Sequence, residues 1–350
     1  MSASLVVLLP VILLGLVSLL CFVGCHLPTG GLPPAFTQYS TTTVLGNPAI
    51  TAYWPLLEAN DTLAATDLAP NPDSGMYIDP KTLPGIYPWP DFSIENAPSP
   101  NIESAAAGFG TMAAPGFGTI AFAQPGIVTG DFGTSDNSNG SSPCLLVNGC
   151  YVNVPLASKI SSITSFTLEA WVRVDWSASD PHAWRAVLDA RDLNPSCTGF
   201  AIIARADDNA PGVYHWMAVI GNGGMGAAGF TTVIAADPPI TLNDPSTPGG
   251  GTTCYLAATY DGPSQTLTLF VNGEQSGPAV TSAYVPNTTK PLWIGAGVPY
   301  APMRPQPAGV MVTGPLFPFV GALQDVAIYS KALAPDVILR HFHNGNGLTS

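Results

Sequence analysis

Short runs of alternating apolar and polar residues, separated by turn signals, restrict the fold of this chain most. Residues 165–176 read SFTLEAWVRVDW, so Phe166, Leu168, Ala170, Val172 and Val174 share one face and Thr167, Glu169, Trp171, Arg173 and Asp175 the other. This period-two pattern predicts a strand with one buried face. Comparable runs continue to residue 330. Within residues 49–345, only residues 332–345 predict a short helix. The pattern favours an all-β, antiparallel β-sandwich or jelly roll.

Turn-forming dipeptides predict how neighbouring strands connect. Residues 259–274, TYDGPSQTLTLFVNGE, hold Asp261-Gly262 before an alternating run and Asn272-Gly273 after it. Asn148-Gly149 divides CLLVNGCYVNVPL, residues 144–156, in the same way. Asn-Gly between two apolar runs is a strong hairpin signal, so the sequence predicts a hairpin at each site.

The first 48 residues differ from the body in composition. Residues 3–24 are apolar and uncharged, and the first Lys or Arg is Lys81. The stretch predicts one apolar helix within residues 1–25, since about 20 such residues span a bilayer. A retained transmembrane anchor, lipidation of Cys25 and simple cleavage of a signal segment are three alternatives. Each places the body outside the cytoplasm, either anchored at the cell surface or secreted.

The rest of the chain is divided by composition. Residues 26–48 are rich in Pro, Gly and Thr, which predicts a linker. The jelly roll is expected over residues 49–345. Residues 80–143 are poorly periodic and are interpreted as a long loop insertion.

Charge excludes one class of partner. The chain has 10 basic and 23 acidic residues and a net charge of −13, so its field repels nucleic acid and anionic headgroups. Nucleic-acid binding is therefore set aside.

An even set of four cysteines in the body, Cys144, Cys150, Cys197 and Cys254, is typical of disulfides in an oxidising compartment. Among three possible connectivities, the short spacing favours Cys144–Cys150 and leaves Cys197–Cys254. A zinc site would need closer Cys or His neighbours.

Five segments carry a family resemblance. They are AITAYWPLLE (49–58), SFTLEAWVRVDW (165–176), LAATYDGPSQTLTLFVNGE (256–274), LWIGAG (292–297) and FVGALQDVAIYSKALAPDVI (319–338). In this order they resemble laminin-G-like (pentraxin-type) domains of the concanavalin A-like lectin/glucanase jelly-roll superfamily. The resemblance implies two curved antiparallel sheets. The family ranges over lectins, adhesion modules, pentraxins and glycoside hydrolases, so fold alone does not assign the function.

The resemblance also implies a calcium site in some relatives. Their acidic opening loop and closing strand lie close together, which makes Asp67, Asn71, Gln324 and Asp325 the candidate ligands. Gln324 stands where the family motif has Asp, and Ca²⁺ prefers six to eight oxygens that include carboxylates. The sequence therefore predicts no required cofactor. A Ca²⁺ site is possible on this resemblance, but Gln324 in place of Asp removes one of its negative charges.

The glutamates do not form a hydrolase motif. Laminarinase-type relatives place two glutamates on one strand, whereas the five glutamates here are 58, 95, 103, 169 and 274. Glu169 alone lies on a clear strand and is interpreted as an outward polar residue. His341 and His343 are interpreted as surface histidines on the final helix. The sequence therefore predicts no catalytic residues.

Two aromatic residues in the insertion are candidate ligand contacts. Tyr87 and Trp89 lie in GIYPWPDF, outside any predicted strand, where aromatic residues often serve recognition. The most favoured function is non-catalytic binding of a glycan or an extracellular protein at the cell surface. A secreted glycoside-active enzyme and a purely structural or adhesive surface protein are the alternatives.

Overall fold

The computed structural model describes the regular part of the body. The described residues are 39–56, 64–78, 119–124, 127–128, 144–148, 150–176, 184–193, 195–207, 210–236, 238–240, 242, 253–297 and 317–348. The predicted apolar helix of residues 3–24 and the lipidation candidate Cys25 lie outside them. None of the helices in these ranges has the length and hydropathy needed to cross a membrane.

Nine strands form the first sheet. In spatial order they are β14 (Glu274–Gln275), β13 (Thr266–Val271), β12 (Thr253–Asp261), β7 (Phe166–Val174), β17 (Val320–Tyr329), β5 (Cys144–Asn148) and β4 (Thr119–Gln124), with β1 (Ile50–Trp54) also paired to β17 and β15 (Val280–Thr281) to β13.

Eight strands form the second sheet. In spatial order they are β11 (Phe230–Ile234), β10 (Ala210–Gly221), β9 (Phe200–Asp207), β8 (Trp184–Asp189), β16 (Leu292–Ile294), β6 (Tyr151–Val154), β3 (Gly75–Ile78) and β2 (Ala64–Ala65). Every strand pair in the described ranges is antiparallel. The prediction of an antiparallel β-sandwich is confirmed.

Alternation along the strands places one face of each sheet in the shared core. On β7, Phe166, Leu168, Ala170, Val172 and Val174 pack between the sheets, as predicted, while Trp171 packs on the outer face. At the end of β13, Asn272 and Gly273 have φ of 53° and 83°. Two successive residues with positive φ are typical of a type I′ hairpin turn, which confirms the hairpin expected there.

The hairpin predicted around Asn148-Gly149 is wrong. Its two arms, β5 and β6, belong to different sheets, because β5 pairs with β17 and β4 whereas β6 pairs with β16 and β3. The chain crosses from one sheet to the other between them. Within the predicted insertion, Thr119–Gln124 forms β4 of the nine-stranded sheet, so this piece is part of the sandwich and not a loop.

Short helical segments cover the outer face of the nine-stranded sheet or connect strands. They are a π-helical turn (Tyr39–Val44), α1 (Ser158–Ser161), a 3₁₀ turn (Gly226–Gly229) and α2 (Pro335–Gly345). Tyr39 and Val44 are fully buried against the same outer-face cluster as Ile338 of α2. The end of the predicted linker of residues 26–48 is therefore part of the packed body.

The predicted Cys197–Cys254 disulfide is wrong, since both residues carry free thiols. Cys254 packs in the core between the sheets, whereas Cys197 packs on the outer face of the eight-stranded sheet. A disulfide needs Cα atoms within about 7 Å, and a whole sheet separates these two thiols. Cys150 is buried beside β6, and its pairing with Cys144 on β5 stays a prediction.

Candidate functional site

The outer face of β3, β6 and β16 is the candidate site. Alternate residues of these strands point into the core: Tyr77, Val152, Val154, Leu292 and Ile294. Because neighbours along a strand face opposite ways, the residues between and beside them face outward. We call the outward set the Trp293 patch: Met76, Ile78, Tyr151, Asn153 and Trp293.

Cross-strand pairing brings the patch together. Trp293 lies opposite Asn153, and Asn153 lies opposite Met76. The Trp293 indole Nε1 donates a hydrogen bond to Asn153 Oδ1 at 2.9 Å, which holds the ring in one orientation. Both residues are partly exposed, and Met76 is 50% exposed. The Asn153 amide nitrogen, which has no partner in the described part of the chain, can donate to a ligand.

A neutralised ion pair borders the patch on β8. Asp189 lies opposite Trp293, and its carboxylate oxygens accept bonds from Arg191 Nε at 3.0 Å and Nη2 at 2.6 Å. Both side chains are fully buried. The guanidinium lies 5.4 Å from the centre of the Phe230 ring. The pair therefore supplies no net charge to the patch.

The centre of this outer face, on β8 to β10, is largely closed to ligands in the described structure. Trp184, Met217, Val219 and Phe317 are each at most 8% exposed. Trp184 packs against Phe317 with ring centres 5.9 Å apart, and Arg205 lies over Trp184. Among the strands described, the outer face is thus accessible at β3, β6 and β16 and at the edge strand β11, where Ile234 is 40% exposed.

Glu169 lies on the opposite side of the sandwich and is inaccessible. It is fully buried beneath α2, where His341 Nδ1 contacts its two carboxylate oxygens at 2.9 and 3.1 Å. The Tyr329 hydroxyl donates to Glu169 Oε2 at 2.9 Å. Glu169 does face outward, but the interpretation of Glu169 as a partly exposed residue and that of His341 as a surface residue are wrong. The helix that covers the sheet buries both.

The predicted calcium ligands around Asp67 are already engaged. Asp67 Oδ1 accepts bonds from the Tyr53 and Ala69 amides, each at 2.9 Å. Asp67 Oδ2 accepts the Asp73 amide at 2.8 Å and the Lys159 ammonium at 2.6 Å. The same ammonium contacts the carbonyl of Asn71, and it lies 3.3 Å from Asp73 Oδ2. A side-chain cation therefore stands where a metal ion would bind this loop.

The other two predicted ligands are engaged elsewhere. Gln324 Oε1 accepts the Ile127 amide at 2.9 Å, and Asp325 Oδ1 accepts the Tyr53 hydroxyl. Tyr53 thus bonds Asp67 through its amide and Asp325 through its phenol, so the two carboxylates are held by its opposite ends. Within the described ranges no cluster of three His, Cys, Asp or Glu could hold a metal. As placed, the four residues do not fit Ca²⁺, and calcium binding stays a prediction.

The predicted ligand contacts Tyr87 and Trp89 lie outside the described residues. Trp293 falls within the strand segment LWIGAG, where an aromatic residue is expected to pack, so the sequence does not single it out. A signal for its exposure was available, since Leu292 and Ile294 on either side are apolar and alternation turns Trp293 away from them. The local sequence pattern could not predict the hydrogen bond to Asn153, because 140 residues separate Asn153 from Trp293.

Buried tyrosines make the fold sensitive to alkaline pH. Burial, and to a lesser extent Cys150, raises the pKa of Tyr151 to about 12. Burial and then Glu169 raise the pKa of Tyr255 and Tyr329 well above 10. A raised phenol pKa stabilises the fold fully below pH 10, and this stability is lost as pH rises toward the folded-state value.

We therefore expect a constant melting temperature from pH 7 to about 9.5 and a fall above pH 10. Tyr151→Phe should remove about 2 kcal/mol of that dependence by pH 12, at about 1.4 kcal/mol per pKa unit. Thermal melts and phenolate absorbance at 295 nm measure both effects. Titration of all tyrosines near pH 10 in the folded protein would contradict the expectation.

Parts of this chain are similar to several solved structures. A candidate carbohydrate-binding protein of Bacteroides ovatus is 17% identical with a TM-score of 0.34, and the match covers 51% of this chain and 40% of that one. The Ruminococcus gnavus IT-sialidase CBM40 bound to α2,3-sialyllactose is 13% identical with a TM-score of 0.37, covering 53% and 85%. The SAP-like pentraxin of Limulus polyphemus is 10% identical with a TM-score of 0.34, covering 51% and 69%. Such low identities do not indicate a shared ligand.

The sequence itself decides the family. No curated protein is similar enough to this sequence to match it. A laminin-G family model described as concanavalin A-like lectin/glucanases superfamily matches residues 148–339, more than half of the chain. This range runs from the end of β5 through β17 into α2, and thus includes most strands of both sheets. The chain belongs to the concanavalin A-like lectin/glucanase superfamily.

Proposed function

We propose that this protein is a non-catalytic glycan-binding module and that the Trp293 patch is its binding surface. One observation carries the proposal. Six of the seven tryptophans lie in the described ranges, and five of them are at most 8% exposed, whereas Trp293 is partly exposed at the outer face of a sheet. A tryptophan that is held at the surface by a side-chain hydrogen bond is available to a ligand.

The chemistry of the patch suits a saccharide. One face of a pyranose ring presents C–H groups that pack on an aromatic ring, and its hydroxyls need hydrogen-bond partners. Trp293 and Met76 offer the apolar surface, and the Asn153 amide offers the donor beside it. A few polar groups that surround an apolar contact are the usual composition of a small-molecule site.

The burial of Glu169 supports binding without hydrolysis. Glycoside hydrolysis requires two carboxyl groups that flank the scissile bond. Glu169 is fully buried and bonded to His341 and Tyr329, so its carboxylate cannot contact a saccharide in this structure. Glu274, the other glutamate of the described ranges, lies exposed on β14 of the same nine-stranded sheet.

The proposed place of action is outside the cytoplasm. Its support is the apolar run of residues 3–24, which could serve as a retained anchor, precede a lipidated Cys25 or be cleaved. A surface position would bring the patch to glycans of the environment or of a neighbouring cell. Separation of cells into membrane and soluble fractions, followed by mass spectrometry of the N-terminus, distinguishes the three alternatives.

Removal of the Trp293 ring is the direct test of binding. Trp293→Ala in the full chain should weaken glycan binding about 30-fold, since a central tryptophan contact is worth about 2 kcal/mol. Trp293→Phe keeps a ring and should retain most of the affinity. A glycan array identifies the bound saccharides, and calorimetry with the strongest of them measures the affinity of each variant.

A matched control is Met225→Ala, which removes a side chain that is 78% exposed between β10 and β11. Its binding should equal that of the wild type. Circular dichroism spectra and melts of all variants must coincide before their affinities are compared. Equal affinity of the Trp293→Ala variant and the wild type would disprove the Trp293 patch as the glycan site, and a hydrolysis screen on β-glucans would test the enzymatic alternative.

A further inference from the structure

We infer that the Trp293 patch recognises neutral saccharides and discriminates against those that carry a carboxylate. This inference rests on the proposed function and adds the class of ligand. Three features carry it: the uncharged composition of the three strands, the pairing of the bordering Asp189 with Arg191, and the negative charge of the whole chain.

The three strands of the patch contain no ionisable acid or base other than Tyr77, which points into the core, and Tyr151. Their sequences are GMYI for β3, YVNV for β6 and LWI for β16. The polar groups that they present are an amide, at Asn153, and the phenol of Tyr151, which is 6% exposed. Amide groups bond hydroxyls well, but they do not compensate the desolvation of a carboxylate as an arginine fork does.

Two basic side chains of the described ranges near the patch are engaged by carboxylates. Arg191 is fully buried and its guanidinium is bonded bidentately to Asp189. Lys159 is bonded to Asp67 and lies near Asp73. Lys290, which is exposed three residues before Trp293, lines a cleft together with Ile160, Phe200 and Tyr284.

The field of the whole molecule adds to the discrimination. A net charge of −13 repels an anionic ligand before contact and leaves a neutral one unaffected. Screening reduces this repulsion beyond about 8 Å at physiological ionic strength. Binding of the neutral ligand should therefore be independent of salt, whereas any residual binding of an acidic counterpart should strengthen as salt is added.

Paired saccharides test the inference in the full chain. The probes are neutral oligosaccharides, each paired with an acidic counterpart. In the counterpart a uronate replaces one neutral unit, or a terminal sialic acid extends the chain, as in lactose and sialyllactose. Wild-type protein should bind the neutral members more tightly, and Trp293→Ala should abolish the binding. Met76→Lys places a cation at an exposed position opposite Asn153 and should shift the ratio toward acidic members by up to about fivefold, the range of exposed ion pairs. Met76→Gln is the uncharged control.

The outcomes separate the two proposals. Tighter, Trp293-dependent binding of the acidic members by wild-type protein would overturn the neutral selectivity and leave glycan binding at the patch intact. An unchanged ratio in Met76→Lys would also count against charge as the basis of selection. Binding of neither class, or binding that is unaffected by Trp293→Ala, would remove the proposed function, and the inference with it.

Discussion

Replacement of Arg191 by Met is expected to destabilise the fold by about 3–5 kcal/mol, which is the usual cost of leaving a buried charge without its partner. Asp189 and Arg191 are both fully buried, and the carboxylate accepts the Arg191 backbone amide as well as two guanidinium N–H groups. Without the guanidinium, the buried Asp189 charge would keep the Arg191 amide bond but lose its paired cation. Urea denaturation followed by tryptophan fluorescence measures the change.

A double-mutant cycle separates the pair from the packing of its members. Asp189→Asn combined with Arg191→Met removes both charges and should recover part of the loss, because coupled residues are not additive. Arg340→Met is the matched surface control, since Arg340 bonds Asp336 at 3.0 Å within α2 and their side chains are 55% and 69% exposed. It should cost less than about 0.5 kcal/mol. Equal effects of Arg191→Met and Arg340→Met would contradict the buried pair.

The second large effect is expected from Lys159→Met. The ammonium contacts Asp67, Asn71 and Asp73, and the Asp67 side chain is fully buried. Three backbone amides continue to bond Asp67, so the expected loss is about 2–3 kcal/mol, below that of a carboxylate left with no partner. Lys331→Met, at an exposed position after β17, is the control and should leave the free energy of unfolding unchanged.

Calcium provides a second readout for the same variant. Wild-type melting should not respond to about 1 mM Ca²⁺, since the Lys159 ammonium occupies the cation position beside Asp67. In Lys159→Met the oxygens of Asp67, Asn71 and Asp73 lose that cation, and Ca²⁺ should recover part of the lost stability through binding to the folded state. A Ca²⁺-dependent rise in the wild-type melting temperature would show that the loop binds calcium despite Lys159.

Predictions from the local sequence pattern were accurate where the predicted feature lies within one strand or one turn. The alternation of residues 165–176 placed the core residues of β7 correctly, and Asn272-Gly273 predicted a real turn. Asn148-Gly149 carried the same signal and was misleading, because β5 and β6 pair with different sheets. The dipeptide reflects the backbone preference of two residues, whereas sheet membership depends on pairing with distant strands such as β17 and β16.

The candidate site required contacts that the local pattern does not contain. The alternation around Trp293 indicates an outward ring, but the position of Asn153 and Met76 beside it depends on the register of three separate strands. The burial of Glu169 depends on α2, whose His341 lies 172 residues away in sequence. The free thiols of Cys197 and Cys254 depend on which faces of the sheets these residues occupy.

The sequence by itself determined the strand pattern, the family and the acidic character of the chain. These follow from the spacing of apolar residues and turn formers, which act over a few residues at a time. Tertiary structure alone decided that Trp293 is partly exposed beside Asn153, that Lys159 bonds Asp67, and that Glu169 is buried. The physical reason is that burial and charge compensation belong to pairs of distant residues, and these pairs exist only after the two sheets have paired and the helices have covered their faces.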